Sequence, residues 1–319
     1  MKYDKREATE WVRAHARGFV DTVGTAFTPT LEIDEEGIRR DVRYLVGELG
    51  LLGACSTGYN GERGSLTTAE TARVNQVMTE ECHRVNPDAI AAPCAYHYNM
   101  SECIGLIQAA EAAGADIVLL GTMFMEHYPP EVMYRYFKEI SDRTSIGIFL
   151  MDFPQPIALE TLARLAELPN IVGTKQVYNV WQAFEALGDK ILISPALEPD
   201  LLPAMMFYGG QYLAMVTPPH WWQVPGKTLL NDYFELALKG EYDRAVEIWK
   251  QLTPMRQLYE EAWIKPVVTD HIHPAGILKY WESLLGMNGG PVRAPLEECP
   301  DHLKVRIRKG LEEFGLISA

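Results

Sequence analysis

Between Gly18 and about Pro219, short β-branched and apolar runs alternate with longer stretches whose apolar positions recur at helical spacing. A parallel sheet joined by crossover helices produces this alternation, since its strands are buried on both faces and its helices on one. Eight apolar runs predict strands over residues 19–26, 51–56, 89–95, 117–121, 146–151, 171–175, 191–194 and 212–216. Helical periodicity occupies 35–49, 67–85, 101–113, 130–143, 159–168 and 200–208, a spacing that suits one helix per crossover. Eight β-α units in a row favour an α/β fold of the closed (β/α)8 TIM-barrel type over an open doubly wound sheet. No Gly-x-Gly-x-x-Gly follows the first run, which further disfavours a dinucleotide fold.

After Pro219 the pattern changes to helices alone, over 228–239, 241–262, 275–285 and 300–314, with a Gly/Pro-rich connector at 286–295. The expected organisation is an N-terminal segment (1–17), a barrel (18–224) and a C-terminal helical extension (225–319) packed on the barrel or on a neighbouring subunit. Trp221, Trp222, Trp263 and Trp281 lie in the extension or at its border and read as packing residues.

With 319 residues, 47% of them hydrophobic, the chain is long and apolar enough for one large barrel. Lys+Arg 29 against Asp+Glu 43 leaves a net charge of -14 without any basic cluster, so nucleic acid and anionic membrane are poor partners. Residues 1–17 are charged, and no window approaches the roughly 18 uncharged residues that a membrane span requires. A cytoplasmic location is the expectation. Cys55, Cys82, Cys94, Cys103 and Cys299 are odd in number and contain no Cys-x-x-Cys, so they read as small buried hydrophobes and not as a disulfide framework or zinc site.

The chemistry centres on Lys175, which ends the apolar run Ile171-Val-Gly-Thr-Lys175. An ammonium is costly to bury charged, so desolvation lowers a lysine pKa and releases the neutral nucleophile that forms Schiff bases. Two more stretches join it: Gly58-Tyr59-Asn60-Gly61-Glu62 followed by Ser65-Leu66-Thr67 and Glu70, and Gly289-Gly290-Pro291-Val292-Arg293-Ala294-Pro295-Leu296. In this order and spacing, and with Gly18 to Pro29 as first strand, the residues resemble the dihydrodipicolinate synthase and N-acetylneuraminate lyase family of class I aldolases.

The resemblance implies that Lys175 forms an iminium with the ketone of a 2-oxo acid, usually pyruvate, and needs no cofactor or metal. Carbon–carbon cleavage or condensation, or loss of water, follows from the resulting enamine. It also implies that backbone N–H groups of the turn Gly58, Tyr59, Asn60 and Gly61 face the substrate carboxylate, with the glycines permitting close approach. A homo-oligomer, tetramer or dimer, is the family's assembly. Glu62 reads as the start of the next helix, where a carboxylate complements the macrodipole.

The chain also departs from the family. Where the fifth strand ordinarily ends in Tyr-Asn-x-Pro, it reads Met151-Asp152-Phe153-Pro154, so a thioether replaces the proton-relaying tyrosine. Thr122-Met123-Phe124-Met125 stands where the synthases carry an intersubunit tyrosine, and the arginine that follows Tyr-Asn-x-Pro has no match at Gln155-Pro156-Ile157. Loss of the relay and of the cationic grip on a second carboxylate argues against dihydrodipicolinate synthesis. Phe124, Met125, Met151 and Phe153, with Ala214 on the last strand, are then expected to form an apolar substrate pocket. Another group must carry protons, and Tyr59, Asp152, His97 and Tyr96 are candidates by their positions at strand ends, Tyr59 foremost. Glu198, between Pro195 and Pro199, reads as a surface carboxylate on a rigid loop. Asp270, His271 and His273 suggest metal ligands but fall in the extension, away from the expected rim, and read as a solvated turn.

The expected function is a Schiff-base lyase joining or splitting pyruvate and an apolar aldehyde. The alternatives are a dehydratase or deaminase of a 2-oxo sugar acid or cyclic imino acid, and a barrel that binds an oxo acid without turnover.

Overall fold

The strands form two four-stranded parallel arcs in a computed structural model that describes residues 2–122, 128–209, 213–215 and 218–318, with Leu213 and Ala214 described by backbone alone. One arc runs in spatial order Ile90–Ala91 (β3), Gly53–Cys55 (β2), Gly18–Thr22 (β1) and Leu213–Ala214 (β8). The other runs Ile117–Thr122 (β4), Gly147–Pro154 (β5), Ile171–Gln176 (β6) and Leu192–Pro195 (β7). The arcs meet where Cys94 bridges Leu119 in parallel and where Met215 N–H donates to Ser194 Oγ at 2.9 Å, so the sheet closes on itself. Close strand approach depends on glycine: a Cβ on Gly53 would stand 2.0 Å from Ile90 O, and one on Gly173 2.3 Å from Phe149 Cε2.

Several strand bounds differ from expectation: β3 is confined to Ile90–Ala91 of the expected 89–95 and β2 to Gly53–Cys55 of the expected 51–56, and the first and fifth strands end elsewhere. The first ends at Thr22, because beyond it the chain leaves the ladder, and the fifth continues to Pro154 through a register shift against β4. That continuation carries Asp152 and Phe153 on the strand itself.

The helices follow local rules. Glu35–Val42 (α2) starts where Asp34 Oδ1 accepts from Gly37 N–H, and a π-helical segment, Arg43–Glu48, carries it on to the end foreseen from periodicity. Thr68–Val85 (α3) has a reciprocal capping box: Glu70 N–H donates to Thr67 Oγ1 (3.2 Å) and Thr67 N–H to Glu70 Oε2 (2.9 Å). Met100–Ala112 (α4), Pro130–Arg143 (α5), Leu159–Leu165 (α6) and Leu201–Tyr208 (α8) fill further crossovers, and Val180–Leu187 (α7) supplies the one that spacing requires after Lys175.

The N-terminal segment is more ordered than its charge suggests. Ala8–His15 (α1) buries Ala8 and Val12 completely, while Tyr3 Oη accepts from Gly147 N–H at 2.8 Å. Since Gly147 begins β5, this segment covers the barrel end opposite the expected site.

The extension shares one buried cluster with the barrel: Val23, Ile38, Val42 and Leu45 pack with Leu278, Trp281 and Leu285. Trp221 stacks on Trp281 with centroids 4.6 Å apart, so these tryptophans do form the expected core. Leu229–Leu238 (α9) and Tyr242–Gln251 (α10) form a hairpin, and the helix expected over 241–262 is interrupted at Leu252 because Pro254 opens a new one. Thr253–Tyr259 (α11) runs through a π segment, Glu260–Ile264, into Lys265–Val268 (α12), and Pro274–Leu284 (α13) and Asp301–Phe314 (α14) complete the chain. Among the described residues no helix is long and apolar enough to cross a membrane.

Candidate active site

Parallel register sets Met151, Lys175 and Ser194 side by side on β5, β6 and β7. The titratable groups acting most on Lys175 come from across the barrel and from β5: Cys55, Cys94, Asp21 and Asp152. The Lys175 side chain therefore faces the barrel interior. Burial is the dominant influence and pushes its ammonium below the ordinary lysine range, while those groups pull it partly back. Cys55, itself pushed up to about 11 by burial, is a neutral thiol at pH 7, so the carboxylates supply the counter-charge. Among the described residues Lys175 makes no ion pair or hydrogen bond, and it keeps intermediate exposure, so the amine is neither locked nor sealed.

Asp152 is fully buried and pushed up to about 6 by that burial, against the pull of two backbone donors. Val177 N–H donates to Oδ1 at 2.6 Å and Tyr178 N–H to Oδ2 at 3.4 Å. The carboxylate thus holds the turn that follows Lys175.

In the 58–61 turn, Gly61 N–H is taken by Gly58 O at 3.1 Å and Gly61 O accepts from Thr25 Oγ1 at 2.6 Å. The N–H groups of Tyr59 and Asn60 are left without an acceptor among the described residues. The left-handed residues of this loop are Thr57 (φ 54°) and Glu62 (φ 56°), not the glycines. The glycines answer to space: a Cβ on Gly61 would sit 3.0 Å from Thr57 N, and one on Gly58 3.3 Å from Cys94 Sγ.

Glu62 is structural, but for a different reason from helix-dipole placement. It lies six positions before α3 begins at Thr68, and the buried carboxylate pairs with Lys279 of α13 and accepts from Arg293 N–H at 3.1 Å. Arg293 also reaches Ser65 O (3.1 Å), Leu31 O (2.9 Å) and Glu70 (2.9 Å), so the C-terminal connector clamps the 58–70 loop. Two motifs far apart in sequence are thus one unit.

Tyr59 and His97 do not stand among the groups acting most on Lys175. They line a cavity of about 300 Å3 at the barrel mouth, together with Arg63, Gly64, Leu66, Tyr96, Tyr98 and His273. Tyr59 meets Phe153 edge-on at 6.0 Å and His273 at 5.0 Å. His273 therefore belongs to the rim and not to a distant solvated turn; its Nδ1 accepts from Ala275 N–H at 3.2 Å and starts α13. Glu198 is likewise no surface carboxylate: it is fully buried and held by Arg256 through two bonds of 2.7 and 2.9 Å.

A hydroxyl does lie beside the thioether at 151, that of Tyr96. Its hydroxyl lies 3.7 Å from Met151 Sδ, and burial holds its pKa well above the ordinary value, so it stays protonated. Gly121 makes room, since a Cβ there would stand 2.9 Å from Tyr96 Cε1. The rim is also not devoid of cations, because Arg63, unremarked in the sequence pattern, lies 5.0 Å from the Tyr96 ring centre. Phe124 and Met125 lie outside the described residues, and of Ala214 only its pairing with Phe19 is described.

The fold and its relatives agree. The 4-hydroxy-tetrahydrodipicolinate synthase of Methanopyrus kandleri is 29% identical over 311 residues, covering 94% of this chain and 97% of its own. Among solved structures, the dihydrodipicolinate synthase from Aquifex aeolicus superposes with a TM-score of 0.80 at 22% identity, covering 95% of this chain and all of its own. The N-acetylneuraminate lyase from Fusobacterium nucleatum gives 0.79 at 18%, covering 94% and 99%. The model of the dihydrodipicolinate synthetase family matches residues 15–313, and the chain belongs to that family.

Proposed function

We propose that the protein is a Schiff-base lyase that makes or breaks a carbon–carbon bond between pyruvate, or a related 2-oxo acid, and an aldehyde with an apolar or aromatic body. The observation carrying this reading is the desolvated, unpaired amine of Lys175 facing the barrel interior. Membership of a family of class I aldolases supports lyase activity in general. The aromatic wall of Tyr59, Tyr96 and Tyr98 supports the choice of aldehyde.

The neutral amine adds to the keto carbon, and the oxygen takes up a proton to give a carbinolamine. Protonation of its hydroxyl and departure of water then leave an iminium. In cleavage, the β-hydroxyl gives up its proton, the carbon–carbon electrons flow to the iminium as aldehyde departs, and the enamine is reprotonated at carbon before hydrolysis. Each step needs a proton carrier, and the Tyr96 hydroxyl beside Met151 is suited to that task. The Tyr59 and Asn60 N–H groups offset the substrate carboxylate.

Borohydride reduction in the presence of pyruvate tests the reading: the expected result is a stable adduct mapped by peptide mass spectrometry to Lys175 and absent in Lys175→Ala. No adduct with pyruvate or with longer 2-oxo acids would refute imine formation. Product analysis separates aldol cleavage, which gives two fragments, from water or ammonia loss, which retains the skeleton.

A further inference from the structure

Among the described residues Arg63 is a cation without an anion. Its guanidinium carbon lies 5.8 Å from the ring centre of Tyr59 and 5.0 Å from that of Tyr96, and its Nη1 is buried with no hydrogen-bond partner among the described residues. The groups acting most on it are tyrosines and Cys94, with no carboxylate among them. Two other buried cations are matched, Lys279 by Glu62 and Arg256 by Glu198. Aromatic faces attract a guanidinium's charge but accept few of its five in-plane N–H bonds, so the fork remains unsatisfied.

The surrounding wall adds donors. His97 Nδ1 accepts from Asn99 N–H at 3.0 Å and His273 Nδ1 from Ala275 N–H at 3.2 Å, which places the ring proton of each on Nε2. Both rings and Arg63 line the 300 Å3 cavity. Tyr96 links cation and amine: Arg63 lies 5.0 Å from its ring centre, and its hydroxyl is 3.7 Å from Sδ of Met151, the register partner of Lys175. A wall of donors that includes a bare planar fork is matched by a carboxylate.

We propose that the substrate is a dianion: the 2-oxo acid that joins Lys175 carries, at the end of its apolar body, a second carboxylate recognised by Arg63. This deepens the lyase reading and rests on it for the imine. Where the sequence led to the expectation that the grip on a second acid group is lost, this proposal supplies a cation from the loop after β2.

The test compares borohydride trapping of 2-oxoglutarate and 2-oxoadipate with that of 2-oxopentanoate and 2-oxohexanoate, scored as ratios of half-trapping concentration. One charge-assisted pair predicts that the better diacid is favoured by about 10-fold or more in the wild type. R63M should bring the ratio close to one, and R63K, which keeps charge but not the fork, should leave an intermediate value. A wild-type ratio near one, or a ratio unchanged in R63M, overturns the proposal. If no oxo acid is trapped, the imine reading fails separately, and calorimetric titration with adipate decides: binding lost in R63M supports the site, whereas binding that is absent or unchanged overturns it.

Discussion

Asp152→Asn separates the two roles open to that carboxylate. In the folded chain its pKa is pushed up to about 6 from 3.8, because burial outweighs the Val177 and Tyr178 N–H bonds and the attraction of Lys175. A folded pKa above the unfolded one means that the folded state binds the proton more tightly. Stability present in acid is therefore lost as pH rises from about 4 to about 6. At about 1.36 kcal/mol per pH unit, the ionised carboxylate costs about 3 kcal/mol at pH 7. Asparagine keeps an oxygen for Val177 N–H and removes the charge, although its NH2 replaces the weaker acceptor at Tyr178 and trims the gain. The expected result is a variant about 1–3 kcal/mol more stable at pH 7 and close to wild type at pH 4, read by denaturant melts at both pH values. The lower limb of its trapping pH profile should move toward acid, since Asp152 raises the lysine pKa. A variant no more stable at pH 7, or one with the same gain at pH 4, refutes the argument. Lost trapping in a folded variant would make Asp152 a proton carrier instead of a turn holder.

Tyr96→Phe should lower kcat by roughly 10²- to 10⁴-fold while trapping of Lys175 persists; unchanged kcat would remove Tyr96 from proton transfer. Glu198→Ala strands the Arg256 guanidinium in the interior and should cost about 3–5 kcal/mol in denaturant melts, with a smaller loss indicating that water replaces the pair.

Local pattern decided a great deal. Apolar runs and helical spacing specified the alternating elements because each residue in a buried strand or amphipathic helix meets the same environment at a fixed period. The capping box at Thr67 and Glu70, and the break that Pro254 introduces, are likewise properties of a few neighbouring residues. Lys175 was legible because an ionisable end to an apolar strand is costly wherever that strand is buried. The N-terminal helix was not, since Ala8 and Val12 are buried only by virtue of what lies across from them.

The sequence by itself thus determined the barrel, its order of strands and the lysine that the last turn of β6 presents. Tertiary structure alone decided the company that lysine keeps. Arg63 and Tyr96 are 33 residues apart, His273 is more than 200 residues from Tyr59, and Glu198 finds Arg256 across 58 residues. Chain folding, not periodicity, sets these pairings, because a charge or hydroxyl on a loop satisfies the same local rules whether it faces water or the barrel mouth.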